Sequence, residues 1–314
     1  MKQNYRLLFE LSLNSRIRRK ELCTRLAISP QLLNYLFKKI EKKRLLQYCV
    51  KTDPAKFGLI NIAVLIAFTS FESKNRVLES LKSNDYVFSI KELTHGADLL
   101  VEYAVPNLSF FNKLHTAFLE LYWDKVKVLD IVPIIVKHVF PIKYLYAKSK
   151  LNSKKIYSGD REMLSFSNSE KLVLKELLSS PQISHVGLAQ KTKLNIRTVL
   201  KTINRLEKIN VIKDYSIIPS ISRLNISSCI VFVNLDYLEP GRVDKFISYV
   251  LNLQEVTSAY KLMGRHALFL EINSLKSYKP VLNKIRDEFK FYDYLLYDVK
   301  EIIKDDHLPL EVLG

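Results

Sequence analysis

The 314-residue chain contains only seven glycines, at 58, 96, 159, 187, 241, 264 and 314. No two stand close enough for G-x-G-x-x-G or a phosphate-cradling P-loop, so those nucleotide-binding motifs are excluded. Its three cysteines, Cys23, Cys49 and Cys229, make no C-x-x-C, no zinc-knuckle spacing and no disulfide framework. Such sparse cysteine fits a reducing cytoplasm. No run of about 18 apolar residues could span a membrane, and the N-terminus lacks an apolar signal core. A soluble cytoplasmic protein with no membrane partner is therefore expected. His95, His115, His138, His185, His266 and His307 make no H-x-x-x-H or H-E-x-x-H pattern. No Ser/His/Asp or Cys/His spacing suggests a nucleophile either. The expectation is no catalytic residue, no metal, no cofactor and no enzyme. Acid is also short: 32 Asp+Glu face 49 Lys+Arg, a net charge of +17, which points to a polyanionic partner. Hydrophobic residues make up 48%, enough for packed cores in about two domains or more.

The charge is not spread evenly. Residues 1–50 carry net +9, residues 51–140 carry 0, residues 141–165 carry +4, residues 166–215 carry +5 and residues 216–314 carry −1. Two short blocks and one connector hold all of the excess. Two long blocks are neutral. Alternation of this kind suggests two DNA-facing modules, each followed by a module with another task.

The same division exposes a repeat. A shift of 166 residues aligns Leu8 with Leu174, Glu10 with Glu176, Ile17 with Ile183, Leu22 with Leu188 and Glu41 with Glu207. A shift of 169 lays LLVEY (99–103) over LFLEI (268–272). Each half is read as a small basic domain followed by a larger neutral one. The boundary is KSKLNSKKIYSGD (148–160), polar, Lys-rich and without apolar periodicity, as a linker should be.

In the first basic block, residues 3–13 and 18–26 read as helices, followed by a turn at Ala27-Ile28-Ser29. Ser29 can cap a third helix with Pro30 at its first position. Leu33, Leu36, Phe37 and Ile40 form one apolar stripe along it. Its other faces carry Gln31, Asn34, Tyr35, Lys38, Lys39, Lys42 and Lys43. The second block copies the plan: Asn195 caps, and Val199, Ile203 and Leu206 form the stripe. Arg197, Thr198, Lys201, Asn204 and Arg205 lie off it. A β-like stretch follows each third helix, LLQYCVKT (45–52) and VIKDYSII (211–218), read as a wing. A third helix of this kind can enter the major groove of double-stranded DNA, while Lys and Arg neutralise phosphates. The expected DNA-binding residues are Ser29, Gln31, Asn34, Tyr35, Lys38, Lys39 and Lys42, with Asn195, Arg197, Thr198, Lys201, Asn204 and Arg205.

The neutral blocks read as β-α-β-β-α-β, the ferredoxin-like pattern. In the first, strands at 59–69, 85–94, 98–105 and 126–138 enclose helices at 72–83 and 107–123. In the second, strands at 227–236, 255–263, 266–273 and 293–303 enclose helices at 241–252 and 275–289. Such a sheet has helices on one face only, so its other face needs cover. The two copies can cover each other, or pair with another chain. The aromatic residues of FFNKLHTAFLELYW (110–123) fit core or interface at helical spacing.

This order of modules resembles the Lrp/AsnC (leucine-responsive regulator) family of bacteria and archaea, twice over and along nearly the whole chain. ELCTRLAISPQLLNYLFKKIEKKRLL (21–46), DPAKFGL (53–59) and THGADLLVEY (94–103) carry the resemblance in the first half. GLAQKTKLNIRTVLKTINRLEKINVIKDY (187–215) and MGRHALFLEI (263–272) carry it in the second. The resemblance implies an α+β chain with two winged helix-turn-helix domains (1–52, 166–218) and two ferredoxin-like, RAM-type sensor and dimerisation domains (53–145, 219–314). A basic linker at 146–165 joins the halves. It implies transcription regulation, self-association through the sensor domains, and an amino acid or other small effector. The effector motif is a Gly-x-x-Asp turn between the second and third strands. Here it corresponds to His95, Gly96 and Asp98 in one half and to Gly264 and His266 in the other. Each half keeps a different part. The sequence also departs from the family elsewhere: Ala27 and Lys193 stand where glycine is common in the turn, and Leu36 and Thr202 where arginine is common in the recognition helix.

Two other readings share the fold. Siroheme decarboxylases have this two-domain layout, and Thr94-His95 resembles the start of their Thr-His segment. Gly96-Ala97-Asp98-Leu99 then replaces the aromatic and Arg residues expected after it. The third reading is an architectural DNA-binding protein without an effector.

Overall fold

The computed structural model describes residues 2–149, 151–159, 162–235, 241–291, 293–306 and 308–313. Lys150, Asp160 and Arg161 of the expected linker, Asp236 of an expected strand, and His307 lie outside the described residues.

The first half begins with α1 (Lys2–Leu13), α2 (Arg19–Leu26) and α3 (Pro30–Lys42), followed by β1 (Leu46–Thr52). Then come β2 (Ile60–Phe68), α4 (Lys74–Ser83), β3 (Val87–Thr94), β4 (Leu99–Val105), α5 (Leu108–Tyr122) and β5 (Val126–Val139). A short strand, β6 (Lys155–Ser158), lies in the connector. The second half repeats the order with α6 (Asn168–Ser179), α7 (His185–Thr192), α8 (Ile196–Lys208) and β7 (Ile212–Pro219). A one-turn helix, α9 (Ile221–Leu224), leads into β8 (Ser227–Val233), α10 (Arg242–Val250), β9 (Val256–Leu262), β10 (Leu268–Ser274), α11 (Lys279–Phe289) and β11 (Tyr294–Asp305).

Each neutral block forms the antiparallel sheet that its pattern demands, ordered β5-β2-β4-β3 and β11-β8-β10-β9. Period-two alternation assigns the faces. Ile62, Val64 and Ile66 of β2 pack under α4 and α5. Ala63 and Leu65 point the other way, into a core shared with Leu93, Phe232 and Phe269. The two inner faces thus cover each other within one chain.

They do so by strand exchange. β5 pairs with β2 up to Ile134 and then with β9, from Ile134↔Leu262 to Val139↔Ser258. β11 pairs with β8 over Tyr294–Asp298 and then with β3, from Asp298↔Thr94 to Asp305↔Ser89. Eight strands close into a barrel, with β6 added along β5.

The barrel interior holds charge. The Lys91 ammonium is 2.7 Å from the Glu102 carboxylate and 2.9 Å from Glu271. The Ser258 hydroxyl and, at 3.1 Å, the Tyr260 hydroxyl also donate to Glu271. Burial alone would raise the Glu271 carboxyl, but Lys91, Lys137 and the Ser258 hydrogen bond hold it down at about 2.

Two expectations change. The stretches read as wings do not form hairpins: β1 pairs antiparallel with β7, from Leu46↔Pro219 to Thr52↔Ile212. Each domain contributes one strand, and a lone strand needs a partner for its backbone. The partner is the other domain's strand. The connector is not all loose either, since Lys155–Ser158 pair with Val136–Val139 and bury Tyr157. Asp53, which opens the DPAKFGL stretch, ties these pieces together. Its carboxylate accepts from the Ser158 amide at 3.0 Å and the Ala55 amide at 3.2 Å, and meets Lys213 at 3.1 Å.

Ala27 and Lys193 close the turns of the two helix-turn-helix units at φ 53° and 57°. The left-handed region disfavours a Cβ there. Replacing Ala27 or Lys193 with Gly is expected to stabilise the chain by roughly 0.5–1 kcal/mol, after the extra unfolded-state freedom of glycine is subtracted. Urea midpoints check it. Lys91→Met should cost about 3–5 kcal/mol, because two buried carboxylates lose their counter-ion. Adding Glu102→Gln and Glu271→Gln should recover part of it. Because the folded Glu271 pKa is depressed, its contribution is complete above the ordinary carboxylate value and is lost as pH falls toward about 2. An acid titration of the urea midpoint should show that fall.

Candidate nucleic-acid interface

The two third helices form as their local chemistry dictates. The Ser29 hydroxyl accepts from the Leu32 amide at 3.2 Å, with Pro30 at the first helical position. The Asn195 side chain accepts from the Arg197 amide at 2.9 Å. A capping box of Ser167 and Glu170 starts the preceding bundle. Leu33, Leu36, Phe37 and Ile40 on α3, and Val199, Ile203 and Leu206 on α8, are buried against the other two helices of their own units. The opposite faces are therefore left to solvent.

On α3, Ser29, Gln31, Asn34, Tyr35, Lys38 and Lys42 are exposed, and Lys39 is half-buried. On α8, Asn195, Arg197, Thr198, Lys201, Asn204 and Arg205 are exposed. Among the described residues no carboxylate pairs with Lys38, Lys42, Arg197 or Lys201. Two expected contacts are partly occupied. Arg205 pairs with Glu170 at 2.8 Å, and the Asn34 carbonyl accepts from Arg19.

The structure adds residues that the sequence reading left out. Arg18, Arg19 and Lys20 are exposed where α2 begins, beside α3. The Arg19 guanidinium lies 4.8 Å from the Phe37 ring centroid. The run RIRRK (16–20) was the available signal. Arg16 of that run has another task. It donates to the carbonyls of Pro181 at 3.0 Å and Ile183 at 2.7 Å and lies over Tyr215. Gln182 returns a bond to Ser15 at 3.1 Å, and the Ser15 amide donates to Tyr215. The two basic domains are thus fastened turn to turn as well as through β1 and β7.

The expected effector turns lie apart. Turn 94–98 faces β11, where His95 Nδ1 is 3.6 Å from Asp298. Turn 263–267 faces β5, where the Met263 amide donates to Pro133. The strand order puts them on opposite sides of the barrel. Gly96 and Gly264 supply positive φ of 92° and 131°. The Asp98 carboxylate accepts from the Phe68 amide at 2.6 Å, and so holds the end of β2. His266 is buried beside Phe232, and burial lowers its pKa. Of these three side chains His95 is exposed, Asp98 half-buried and His266 buried. A cavity of about 270 Å³ adjoins His95, lined by Lys74, Glu92, Thr94, Asp98 and Lys300. No cluster of three metal-ligating side chains exists among the described residues. No helix among them is long and apolar enough to cross a membrane. Phe111 and Phe118 of α5 are core, while Trp123 is exposed.

The profile of a family described as winged helix-turn-helix DNA-binding matches residues 167–213, from the Ser167 cap to the start of β7. An uncharacterised HTH-type transcriptional regulator of Pyrococcus abyssi is 26% identical over 121 residues, covering 38% of this chain and 80% of its own length. The crystal structure of the siroheme decarboxylase NirDL covers 98% of this chain and 94% of that chain, at 15% identity and a TM-score of 0.59. At that identity the likeness is one of fold, and it spans both halves. An AsnC family transcriptional regulator from Agrobacterium tumefaciens covers 46% of this chain and 98% of that chain, at 18% identity and a TM-score of 0.43.

Each free lysine or arginine on α3 and α8 should add to the salt dependence of duplex binding. Lys38→Gln, Lys42→Gln and Lys201→Gln are each expected to flatten the log–log salt slope by about 0.9 if the side chain meets a phosphate. Arg16→Gln, which breaks a contact between the domains, should lower stability and not the slope. Fluorescence anisotropy at several salt concentrations separates the two.

Proposed function

We infer that the chain is a DNA-binding transcription regulator of the Lrp/AsnC type, with two copies of the unit fused in tandem. The observation that carries this is the pair of capped helices α3 and α8. Both bury an apolar stripe and turn unpaired basic side chains outward, and one ribbon holds them together. Two recognition helices on a rigid frame suit two neighbouring half-sites on one face of the duplex. The proposed contacts are those named on the two helices, joined by Arg18 and Lys20.

The two faces differ. Gln31, Asn34 and Tyr35 occupy the first turns of α3, whereas Arg197 and Thr198 occupy those of α8. The half-sites should differ accordingly, and the operator should not be a palindrome. Side chains that read base edges discriminate by about 1–3 kcal/mol per pair.

The whole-chain likeness to a siroheme decarboxylase supports a second reading, an enzyme on the same frame. The residues disfavour it. Gly96-Ala97-Asp98-Leu99 follow Thr94-His95, in place of the aromatic and Arg residues expected there. We propose no catalytic role. Self-association beyond the chain's own paired sheets is likewise a proposal, through the sensor domains.

Selection of bound duplexes from a random pool should return one motif with two unlike halves. Its specific-to-nonspecific ratio should be at least about 10³. A ratio near one would leave an architectural protein instead. A spectral shift on adding siroheme would favour the enzyme.

A further inference from the structure

The outward face of α8 carries apolar side chains as well as charge. Ile196, at the start of the helix, is 40% exposed, and Leu200, one turn later, is 38% exposed. Neither belongs to the buried core of the unit, which Val199, Ile203 and Leu206 supply from the opposite face. Ile196, Leu200 and Asn204 follow one another at four-residue spacing, so they form one row along the helix. Arg197 and Lys201 form the row beside it. Both are exposed, and no carboxylate pairs with either among the described residues.

The fold does not require apolar residues in that row. At the shift of 166, Pro30, Asn34 and Lys38 hold the corresponding places on α3, and the first unit folds on the same plan. There Arg19, at the start of α2, donates to the Asn34 carbonyl, so the start of the second helix adjoins the row. In the second unit His185 and Val186 replace Arg19 and Lys20, and Val186 is 55% exposed. Charge has been withdrawn around Leu200 and apolar surface put in its place, while the cations of the next row remain. Single exposed apolar residues are ordinary, but a run of them on an outward helix face marks a contact.

The occupant has to satisfy both rows. Arg197 and Lys201 call for an anionic surface, and Ile196 and Leu200 call for an apolar group close beside it. The major groove of a duplex offers both, with phosphates along its rim and the C5-methyl group of thymine on its floor. An apolar protein surface would leave the cations unmatched. We propose that Ile196 and Leu200 read thymine methyl groups in the half-site under α8. Val186 extends the apolar surface at its edge, and Arg197 and Asn204 hydrogen-bond to adjoining base edges. This rests on the regulator reading, and it adds a base preference that the charged residues of α8 do not supply. The first unit, with Pro30 and Asn34 in the same places, has no such preference.

The test selects duplexes bound by the full chain from two random pools, one made with thymine and one with uracil in its place. Uracil pairs as thymine does and lacks only the methyl group. The thymine pool should return a motif with preferred thymines in one half. The uracil pool should lose the preference at those positions and keep it elsewhere. In a duplex of the selected motif, each thymine-to-uracil exchange in that half should weaken binding about fourfold, the factor for one buried methyl group. Exchanges in the other half should not. Leu200→Ala and Ile196→Ala change exposed helix positions that alanine suits, so both variants should fold. Each should lose part of the uracil sensitivity and keep the salt slope. Equal binding of thymine and uracil duplexes overturns the proposal and leaves the regulator reading standing. A full uracil penalty in the chain carrying both substitutions also overturns it. Recovery of no duplex from either pool sinks the regulator reading and the proposal together.

Discussion

The exchange of the last strands is the constraint on which the rest depends. Without it, β3 and β9 would each be an open edge with unpaired backbone groups. β5 and β11 run 14 and 12 residues, long enough for each to serve its own sheet and then the other. Each crossing has a break in register, between Ile134 and Val136 in β5 and between Val299 and Glu301 in β11. An irregularity of that kind bends a strand and increases its twist, as closure requires. Closure fixes one half against the other. β1 and β7 then pair above the barrel, and the turns at Ser15 and Gln182 meet. α3 and α8 inherit their relation from the sheets.

A fused pair can do what two identical subunits cannot. Glu102 and Glu271 occupy equivalent places, 169 residues apart, and both point into the barrel. In an identical pair, any lysine opposite them would appear twice. Here Lys91 in one half corresponds to Tyr260 in the other. One ammonium serves both carboxylates, and the tyrosine hydroxyl adds a hydrogen bond to Glu271. Lys137 and Asp305 are a second such pair, 168 residues apart and opposite in charge. The centre of the molecule is thus chemically unsymmetrical although the backbone order repeats. The same freedom acts outside, where Arg18-Arg19-Lys20 at the start of α2 corresponds to Ser184-His185-Val186 at the start of α7.

Local features were legible in the sequence. Ser29, Pro30 and Asn195 announce helix starts through chemistry within four residues, and the apolar stripes assign the buried faces. The ferredoxin-like order follows from period-two and helical patterns, and the structure keeps it. What was not legible depends on partners remote in sequence. LLQYCVKT and VIKDYSII each look like half of a wing, and nothing local says that they pair with one another. Lys155–Ser158 reads as linker because Ile156 and Tyr157 are too short an apolar run, yet β5 offers them an edge. Lys91 looks like a solvent-facing strand residue until Glu271 of the other half meets it. Asp98 was read as part of an effector turn, and the structure uses its carboxylate to hold β2 at Phe68.

The positive charge divides by residue type as well as by position. In the first unit most of the arginines act inside the protein. Arg6 donates to the end of α2, Arg16 fastens the second unit, Arg19 engages Asn34 and Phe37, and Arg25 pairs with Glu10 and Glu21. Lys20, Lys38, Lys42 and Lys43 remain exposed. A planar guanidinium suits several directed bonds at once, whereas a flexible, strongly hydrated ammonium suits a diffuse phosphate field. Affinity at this end should therefore come from lysine and be screened by salt. On the proposed reading, base selectivity at this end falls to Gln31, Asn34 and Tyr35, which carry no charge. At the other end Arg197 is exposed on the first turn of α8, where a guanidinium can reach a base edge. On that reading one unit would mainly hold the duplex and the other would do more of the reading, a division that a single repeated unit could not make.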